Sequence, residues 1–195
     1  MTEAESNLWQ KVMSHWHQGH PASTLECVDE YIAEYPDNDL AFMVLGETLI
    51  DLARYDKAKI ALEKAIKLCP KNRAGLAFAR MGHLYVEKGN FSAAEKWYLK
   101  AVKSRDRRPQ FLIYAGNILA KRGKFTEAKR YYRRAIKSNE VCDEAYLNLG
   151  YVLRAEGKYQ EALECFEKAL EHAPKYILAK EAKRDMLELF ELREQ

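Results

Sequence analysis

Three closely spaced histidines, His15, His17 and His20, come nearest to a reactive or metal-binding group in this 195-residue chain. A helix would direct His15 and His17 to different faces, because residues two apart on an α-helix are not neighbours. No cysteine or carboxylate at helical spacing completes a tetrahedral ligand set around them. We therefore expect these histidines to have a structural role in a turn, with no metal site and no cofactor.

Other reactive groups are equally scattered. The four cysteines, at positions 27, 69, 142 and 165, form no CxxC pair and no metal-finger spacing, which favours reduced thiols in a reducing compartment. Nucleophile motifs and HExxH are missing from the sequence, and its glycines form no phosphate-binding loop. We therefore expect a binding protein and not an enzyme.

Composition places the chain among ordinary folded proteins, with 48% hydrophobic and 31% charged residues. Its longest apolar run, from Leu40 to Leu45, is far shorter than the roughly 20 residues of a membrane-spanning helix. Glu3 and Glu5 stand where a secretory signal would be basic. The sequence thus predicts no membrane span and a cytoplasmic location.

The glycines follow a regular spacing that indicates a repeated structural unit. Gly82, Gly116 and Gly150 are 34 residues apart, and the same spacing separates Gly89, Gly123 and Gly157. Gly46 fits the lattice after a two-residue insertion, and Ala53 replaces glycine at one turn position, while Gly75 lies outside the lattice. The spacing predicts a single array of five repeats and a terminal helix, with bounds 5–38, 39–72, 75–108, 109–142, 143–176 and 177–193.

Each repeat carries two apolar stripes with helical periodicity. In repeat 5 the first stripe is Tyr146, Leu149, Gly150 and Leu153, and the second is Ala162, Phe166, Ala169 and Leu170. The glycine between the stripes suits a left-handed helix end, and the glycine within the first stripe lets two helices approach closely. Each repeat is therefore predicted to be a helical hairpin. The terminal helix would pack through Ala179, Met186, Leu187 and Phe190.

These stripes, followed by Pro174, resemble the tetratricopeptide repeat signature in repeats 2 to 5. The resemblance implies an all-α fold, a right-handed α-α superhelix of about eleven antiparallel helices. Repeat 1 departs from the pattern and is interpreted as an atypical N-terminal cap, because its signature positions hold Lys11, Val12, His15, Thr24 and Tyr31.

The resemblance also implies a concave groove lined by positions 2, 5, 6, 9, 12 and 13 of each repeat, here called the groove positions. We expect a peptide segment or partner protein to bind there, with asparagine amides contacting the backbone of an extended ligand. Some members of this family bind the C-terminal carboxylates of chaperones through a clamp of asparagine, lysine and arginine side chains. That clamp is incomplete in this chain, since Ile113, Leu178 and Ala182 stand where it needs cations. The groove residues expected to contact a partner are Met43, Val44, Glu47, Arg80, His83, Tyr114, Asn117, Lys121, Asn148, Tyr151 and Arg154.

Two other functions stay open. Homo-oligomerisation could use apolar residues near the ends of the array, namely Trp9, Met13, Trp16, Leu178 and Leu189. Residues 100–140 carry 13 basic and 3 acidic side chains, a net charge of +10, which could attract nucleic acid or another anionic surface. A solvated helix face is the favoured interpretation of this block, so nucleic acid is not the expected partner. The block in repeat 4 comprises Lys129, Arg130, Arg133, Arg134 and Lys137.

Overall fold

The computed structural model describes residues 2–138 and 142–194, and these ranges contain eleven α-helices. The all-α class and the helix number expected from the repeats are confirmed for this part of the chain. The helices are α1 (Glu3–His17), α2 (Pro21–Glu34), α3 (Asp39–Asp51), α4 (Tyr55–Leu68), α5 (Ala74–Glu87), α6 (Phe91–Lys103), α7 (Pro109–Lys121), α8 (Phe125–Ser138), α9 (Asp143–Ala155), α10 (Tyr159–His172) and α11 (Ile177–Glu194).

The chain divides into two compact units, Met1–Arg107 and Arg108–Gln195. The N-terminal unit contains the hairpins of repeats 1 to 3, and the C-terminal unit contains those of repeats 4 and 5 together with α11. The division falls between two repeats, so no hairpin is split. The continuity of one array across this division stays a prediction.

Short polar signals set where several helices begin. Thr2 and Glu5 form a capping box at the start of α1, in which the Glu5 amide donates to Thr2 Oγ1 at 3.2 Å. Asn38 and Asn90 cap α3 and α6 by accepting from the amides three residues on. These caps satisfy backbone donors that have no partner within a helix.

Close packing within four hairpins depends on a glycine of the first helix. A Cβ built on Gly46 would lie 2.6 Å from the Leu62 side chain, and one built on Gly82 would lie 2.6 Å from the Tyr98 ring. At Gly116 and Gly150 the corresponding atoms, in the rings of Tyr132 and Phe166, are 2.4 Å away. The predicted close approach of the two helices at these glycines is confirmed.

The hairpin turns adopt the left-handed conformation predicted for them. Gly19, Gly89, Gly123 and Gly157 have φ between 68° and 77°. Ala53, which replaces glycine in repeat 2, adopts the same conformation with φ 54°. Since a Cβ is disfavoured there, repeat 2 carries local backbone strain.

Repeat 1 has a buried core in spite of its divergent sequence, although its two helices contact each other less than those of the other hairpins do. Val12 and Tyr31 are completely buried, and Thr24 is 1% exposed with its hydroxyl donating to the His20 carbonyl oxygen. The Tyr31 hydroxyl donates to Glu5 and accepts from Asn38. The atypical residues of this repeat thus form their own polar and apolar core.

The terminal helix α11 packs against α10 through one apolar stripe. Ala179, Ala182 and Met186 are buried and Phe190 is half-buried. Leu187, predicted for this stripe, is 43% exposed, so that prediction is wrong. Leu187 follows the buried Met186 directly, and adjacent residues on a helix point about 100° apart. In the described ranges of the chain, no helix combines the length and apolarity needed to cross a bilayer.

Candidate functional site

The groove positions of the two units hold different chemistry. Position 9 of repeats 2 to 5 is occupied by Glu47, His83, Asn117 and Tyr151 in turn. The first two lie in the N-terminal unit and the last two in the C-terminal unit. In repeats 2 and 3 the N-terminal unit therefore presents a carboxyl group and an imidazole at this position, whereas the C-terminal unit presents an amide and a phenol.

In the N-terminal unit, groove residues of α3 and α5 form an ion cluster. The Arg80 guanidinium pairs with the carboxylate of Glu47, whose side chain is only 10% exposed. His83 Nδ1 lies 3.9 Å from the same carboxylate oxygen, and His83 Nε2 lies 3.6 Å from Glu87. Three of the predicted contact residues are thus brought together, but they chiefly satisfy one another.

Burial governs the acid–base behaviour of this cluster. The pKa of Glu47 is raised above its ordinary value by desolvation, and the charge of Asp51 raises it further, while Arg80 opposes both effects. The ionised carboxylate in the folded protein therefore depends on its arginine partner.

Met43 and Val44 do not form the apolar contact surface that their groove positions suggested. They are 4% and 7% exposed and pack into hydrophobic clusters of the N-terminal unit, Met43 with Ala65 and Ala77 and Val44 with Val28. Met43 and Val44 are therefore core residues and not groove residues, because neighbouring helices cover this face of α3.

The C-terminal unit contains a pocket of about 300 Å³ at its groove positions. Three of the predicted contact residues line it together, namely Asn117, Asn148 and Tyr151. Such a volume lies at the lower end of the range for ligand sites. The remaining lining residues are Ala120, Phe125, Tyr132, Val152 and Ala155.

The two asparagines of this pocket differ in their bonding. Asn117 Oδ1 accepts a hydrogen bond of 2.8 Å from the Tyr132 hydroxyl, and the Asn117 side chain also bonds the Glu144 carboxylate. Burial raises the pKa of Tyr132, which keeps that hydroxyl protonated as a donor. The half-buried amide of Asn148 has no hydrogen-bond partner among the described residues. Asn148 therefore offers a free donor and a free acceptor.

Tyr151 and Arg154 extend the pocket with an aromatic and a cationic surface. The Tyr151 ring meets the buried Phe166 ring edge-on at 5.4 Å, which fixes its orientation. The Arg154 guanidinium lies 5.3 Å from the Tyr151 ring centroid and 3.8 Å from Asp185. Tyr114 and Lys121 are exposed on α7 and lie outside the pocket lining.

Two residues that contact Asn117 are missing from the expected contact residues: Tyr132, which lies outside the groove positions, and Glu144, which occupies groove position 2 of repeat 5. Tyr132 occupies a core position of repeat 4 and is 1% exposed, yet its hydroxyl reaches Asn117. Glu144 lies at the start of α9, and its pKa is raised by burial and by Asp143. The hydroxyl of a tyrosine, at a position that holds leucine in repeat 2 and phenylalanine in repeat 5, is the sequence signal for this role of Tyr132.

The basic block of repeat 4 is smaller than its sequence suggests. Lys129 is 8% exposed and its Nζ donates to Glu156 at 2.6 Å, so it is a buried ion-pair residue. Arg130, Arg133, Arg134 and Lys137 are exposed at i, i+3, i+4 and i+7, and therefore share one helix face.

Most residues considered for self-association pack against their own unit. Trp9, Met13 and Trp16 lie against the cluster that contains Val12, and Leu189 is half-buried. Leu178 is 51% exposed on α11, close to Ile177 at 68%. Self-association thus stays a prediction.

His15, His17 and His20 lie in the hairpin of repeat 1. The ring centroids of His15 and His20 are 6.3 Å apart, and His17 lies beside Trp16. Within residues 2–138 and 142–194, no group of three or more His, Cys, Asp or Glu side chains could hold a metal ion.

Paired helices, the recurring glycine contact of four hairpins and polar groove positions define a repeat scaffold of the protein-interaction class. Models of the tetratricopeptide repeat match residues 41–72, 79–128 and 115–177, which together exceed half of the chain. The chain belongs to the tetratricopeptide repeat family.

Solved structures share this fold at low sequence identity. YrrB, described as a tetratricopeptide repeat protein with an unusual peptide-binding site, superposes with TM-score 0.65 at 21% identity, over 89% of this chain and 88% of its own. PilW, a type IV pilus biogenesis factor, gives TM-score 0.77 at 17% identity, over 95% and 91%. MamA from Desulfovibrio magneticus gives 0.69 at 16%, over 91% and 99%. No curated protein matches the chain significantly in sequence.

Proposed function

We propose that the C-terminal unit binds an extended peptide segment of another protein in the pocket lined by Asn117, Asn148 and Tyr151. The unpartnered amide of Asn148 in this pocket is the observation that carries the proposal. An amide can pair with a peptide N–H and carbonyl at once, whatever the side chains of the ligand. The similarity to YrrB, whose name records a peptide-binding site, supports this interpretation.

The surrounding groups favour a particular kind of segment. Tyr151 provides an oriented aromatic wall, and Arg154 provides a cation that already contacts an acidic side chain, Asp185. A ligand carboxylate could replace Asp185 at Arg154 with little change in charge. We therefore propose an apolar side chain against Tyr151 and an acidic side chain near Arg154. In the N-terminal unit, Arg80 and His83 are proposed to contact polar groups of a partner.

Selection from a displayed peptide library tests the proposal. Peptides selected on the unaltered protein should lose up to about tenfold in affinity to Asn148→Ala, because a hydrogen bond to an amide contributes about 1 kcal/mol. Asn7→Ala is the matched control, since Asn7 is an exposed asparagine within a helix of the other unit. Unchanged affinity for Asn148→Ala, with both variants folded, would overturn the proposal.

A second candidate function rests on the exposed basic face of α8. Arg130, Arg133, Arg134 and Lys137 form a continuous cationic stripe that could bind an anionic surface. Binding to heparin should then weaken steeply with salt, and reversal of the three arginines to glutamate should abolish it. Retention of heparin binding by the reversed variant would remove this candidate.

We also propose a cytoplasmic location. The four free cysteines, two of them buried, suit a reducing compartment. A fluorescent fusion seen outside the cytoplasm would overturn this assignment.

A further inference from the structure

An apolar pocket of about 530 Å³ lies in the N-terminal unit, away from the groove positions. Its walls come from α2, α3 and α4, and its apolar base includes Phe42, Leu45, Leu49 and Ala61. The α3 residues belong to positions 4, 7 and 11 of repeat 2, the packing stripe, and not to the groove positions. A volume of this size is typical of a ligand site.

Two of the other four repeats carry an aromatic ring at the position that would cover this space, and the other two carry cysteine there. Ala61 occupies position 23 of repeat 2, where repeats 3 and 4 have Trp97 and Tyr131. In repeat 3 the Trp97 ring packs 5.9 Å from the Phe78 ring, and Phe78 is the counterpart of Phe42. Repeat 2 thus lacks the aromatic side chain that covers the corresponding surface in the next repeat.

Position 26 carries a basic residue in each of repeats 2 to 5. Lys100 lies 3.8 Å from the Trp97 centroid, and Arg134 lies 5.4 Å from the Tyr131 centroid. The equivalent Lys64 stands 5.8 Å from the Phe42 ring, at the edge of the open pocket. Repeat 2 therefore has the aromatic residue Phe42 at the base of the pocket and the cation Lys64 at its edge, but it has no ring between them.

The rim of the pocket is net basic. Arg54, Lys57 and Lys64 line it together with one acidic residue, Asp29. Ile60, on the same rim, is 69% exposed and extends the apolar surface outward. A ligand that complements this surface combines a buried ring with acidic neighbours.

We propose that this pocket receives an aromatic side chain, flanked by acidic residues, from a partner protein. The partner ring takes the place that Trp97 occupies in repeat 3, against Phe42 and beneath Lys64. The acidic neighbours of the ring meet Arg54 and Lys57. This contact is independent of the groove positions and gives the chain a second partner-binding surface.

Nuclear magnetic resonance with a synthetic probe tests the assignment. The probe is the blocked peptide Glu-Asp-Trp-Asp-Glu at millimolar concentration, added to the isotopically labelled chain. Its binding should shift the backbone amides of Leu45, Ala61 and Lys64. The same peptide with leucine in place of tryptophan, or with lysines in place of its acidic residues, should bind several-fold more weakly. Equal binding by either comparison peptide, or shifts confined to other residues, overturns the proposal.

Two variants locate the contact. Ala61→Trp supplies the missing ring from the chain itself, as Trp97 does in repeat 3, and should abolish the shifts. Lys64→Ala should weaken the probe about two- to fivefold by removing the cation beside the ring. Lys100→Ala is the matched control, since Lys100 covers the chain's own Trp97. If Ala61→Trp does not fold, the lysine pair decides, and equal effects of Lys64→Ala and Lys100→Ala overturn the proposal.

Discussion

The N-terminal and C-terminal units build the same hairpin but place different chemistry at equivalent repeat positions. At position 9 the N-terminal unit has Glu47 and His83, which meet Arg80 in an ion cluster. The C-terminal unit has Asn117 and Tyr151, which line a pocket with the unpartnered Asn148. The same hairpin packing is therefore compatible with different surface residues. Charged side chains that already pair with one another are less available to a partner than neutral polar groups without a partner.

Breaking the ion cluster of Glu47, Arg80 and His83 should destabilise the protein more than any other substitution considered below. Arg80→Ala should lower the free energy of unfolding by about 2–3 kcal/mol at pH 7, because Glu47 would stay buried without a cation. Glu47 has a raised pKa in the folded protein, so its favourable contribution is present below its unfolded pKa and is lost as pH rises through the folded value. Removal of Arg80 raises that folded pKa further and enlarges the loss.

Urea unfolding at pH 7 and at about pH 4 measures this effect. The difference between Arg80→Ala and the unaltered protein should be smaller at the lower pH. Adding Glu47→Gln to Arg80→Ala should recover part of the stability at pH 7, since no buried charge then remains. Arg130→Ala, on an exposed helix face, is the control. An equal loss at both pH values would contradict the assigned role of Glu47.

The second prediction compares Gly→Ala substitutions at equivalent close helix contacts in the two units. Gly116→Ala should cost about 2 kcal/mol, because its Cβ meets the Tyr132 ring, whose hydroxyl is also held by Asn117. Gly46→Ala should cost less, about 1 kcal/mol, because the Leu62 side chain that its Cβ meets, although fully buried, has no hydrogen bond that fixes its position and can change rotamer. The gain in helix propensity, about 1 kcal/mol, is common to both variants. Thermal and urea unfolding compare the pair, and equal losses would show that the ring is not rigidly held.

The third effect distinguishes the two asparagines of the C-terminal pocket. Asn117→Ala should cost about 1–2 kcal/mol, because the Tyr132 hydroxyl loses its acceptor in a residue that is 1% exposed. Asn148→Ala should change stability by no more than about 0.5 kcal/mol, since its amide has no partner within the described chain. Adding Tyr132→Phe to Asn117→Ala should recover part of the loss. A larger loss for Asn148→Ala than for Asn117→Ala would reverse the assignment.

The sequence predicted the hairpins well because their determinants are local and periodic. Glycine spacing located the turns and the close helix contacts, and both are confirmed. The surface was harder, since it depends on side chains distant in sequence. Lys129 looked like part of a basic face, but its partner Glu156 lies 27 residues away. Met43 was assigned to the groove by position alone, whereas packing with Ala65 and Ala77 buries it.

The smallest expected effect concerns the turn in which repeat 2 differs from every other repeat. Ala53 holds φ 54°, while glycine occupies the equivalent position in repeats 1, 3, 4 and 5. Ala53→Gly should raise the free energy of unfolding by about 0.5–1 kcal/mol, because relief of the Cβ strain exceeds the entropy gained by the unfolded chain. Gly123→Ala, the reciprocal change in the C-terminal unit, should lower it by about 1 kcal/mol. Its Cβ would meet no other group within 4 Å, so backbone strain alone is measured. If Ala53→Gly destabilises the protein, the strain assigned to repeat 2 is absent, and its turn is held by contacts that glycine cannot provide.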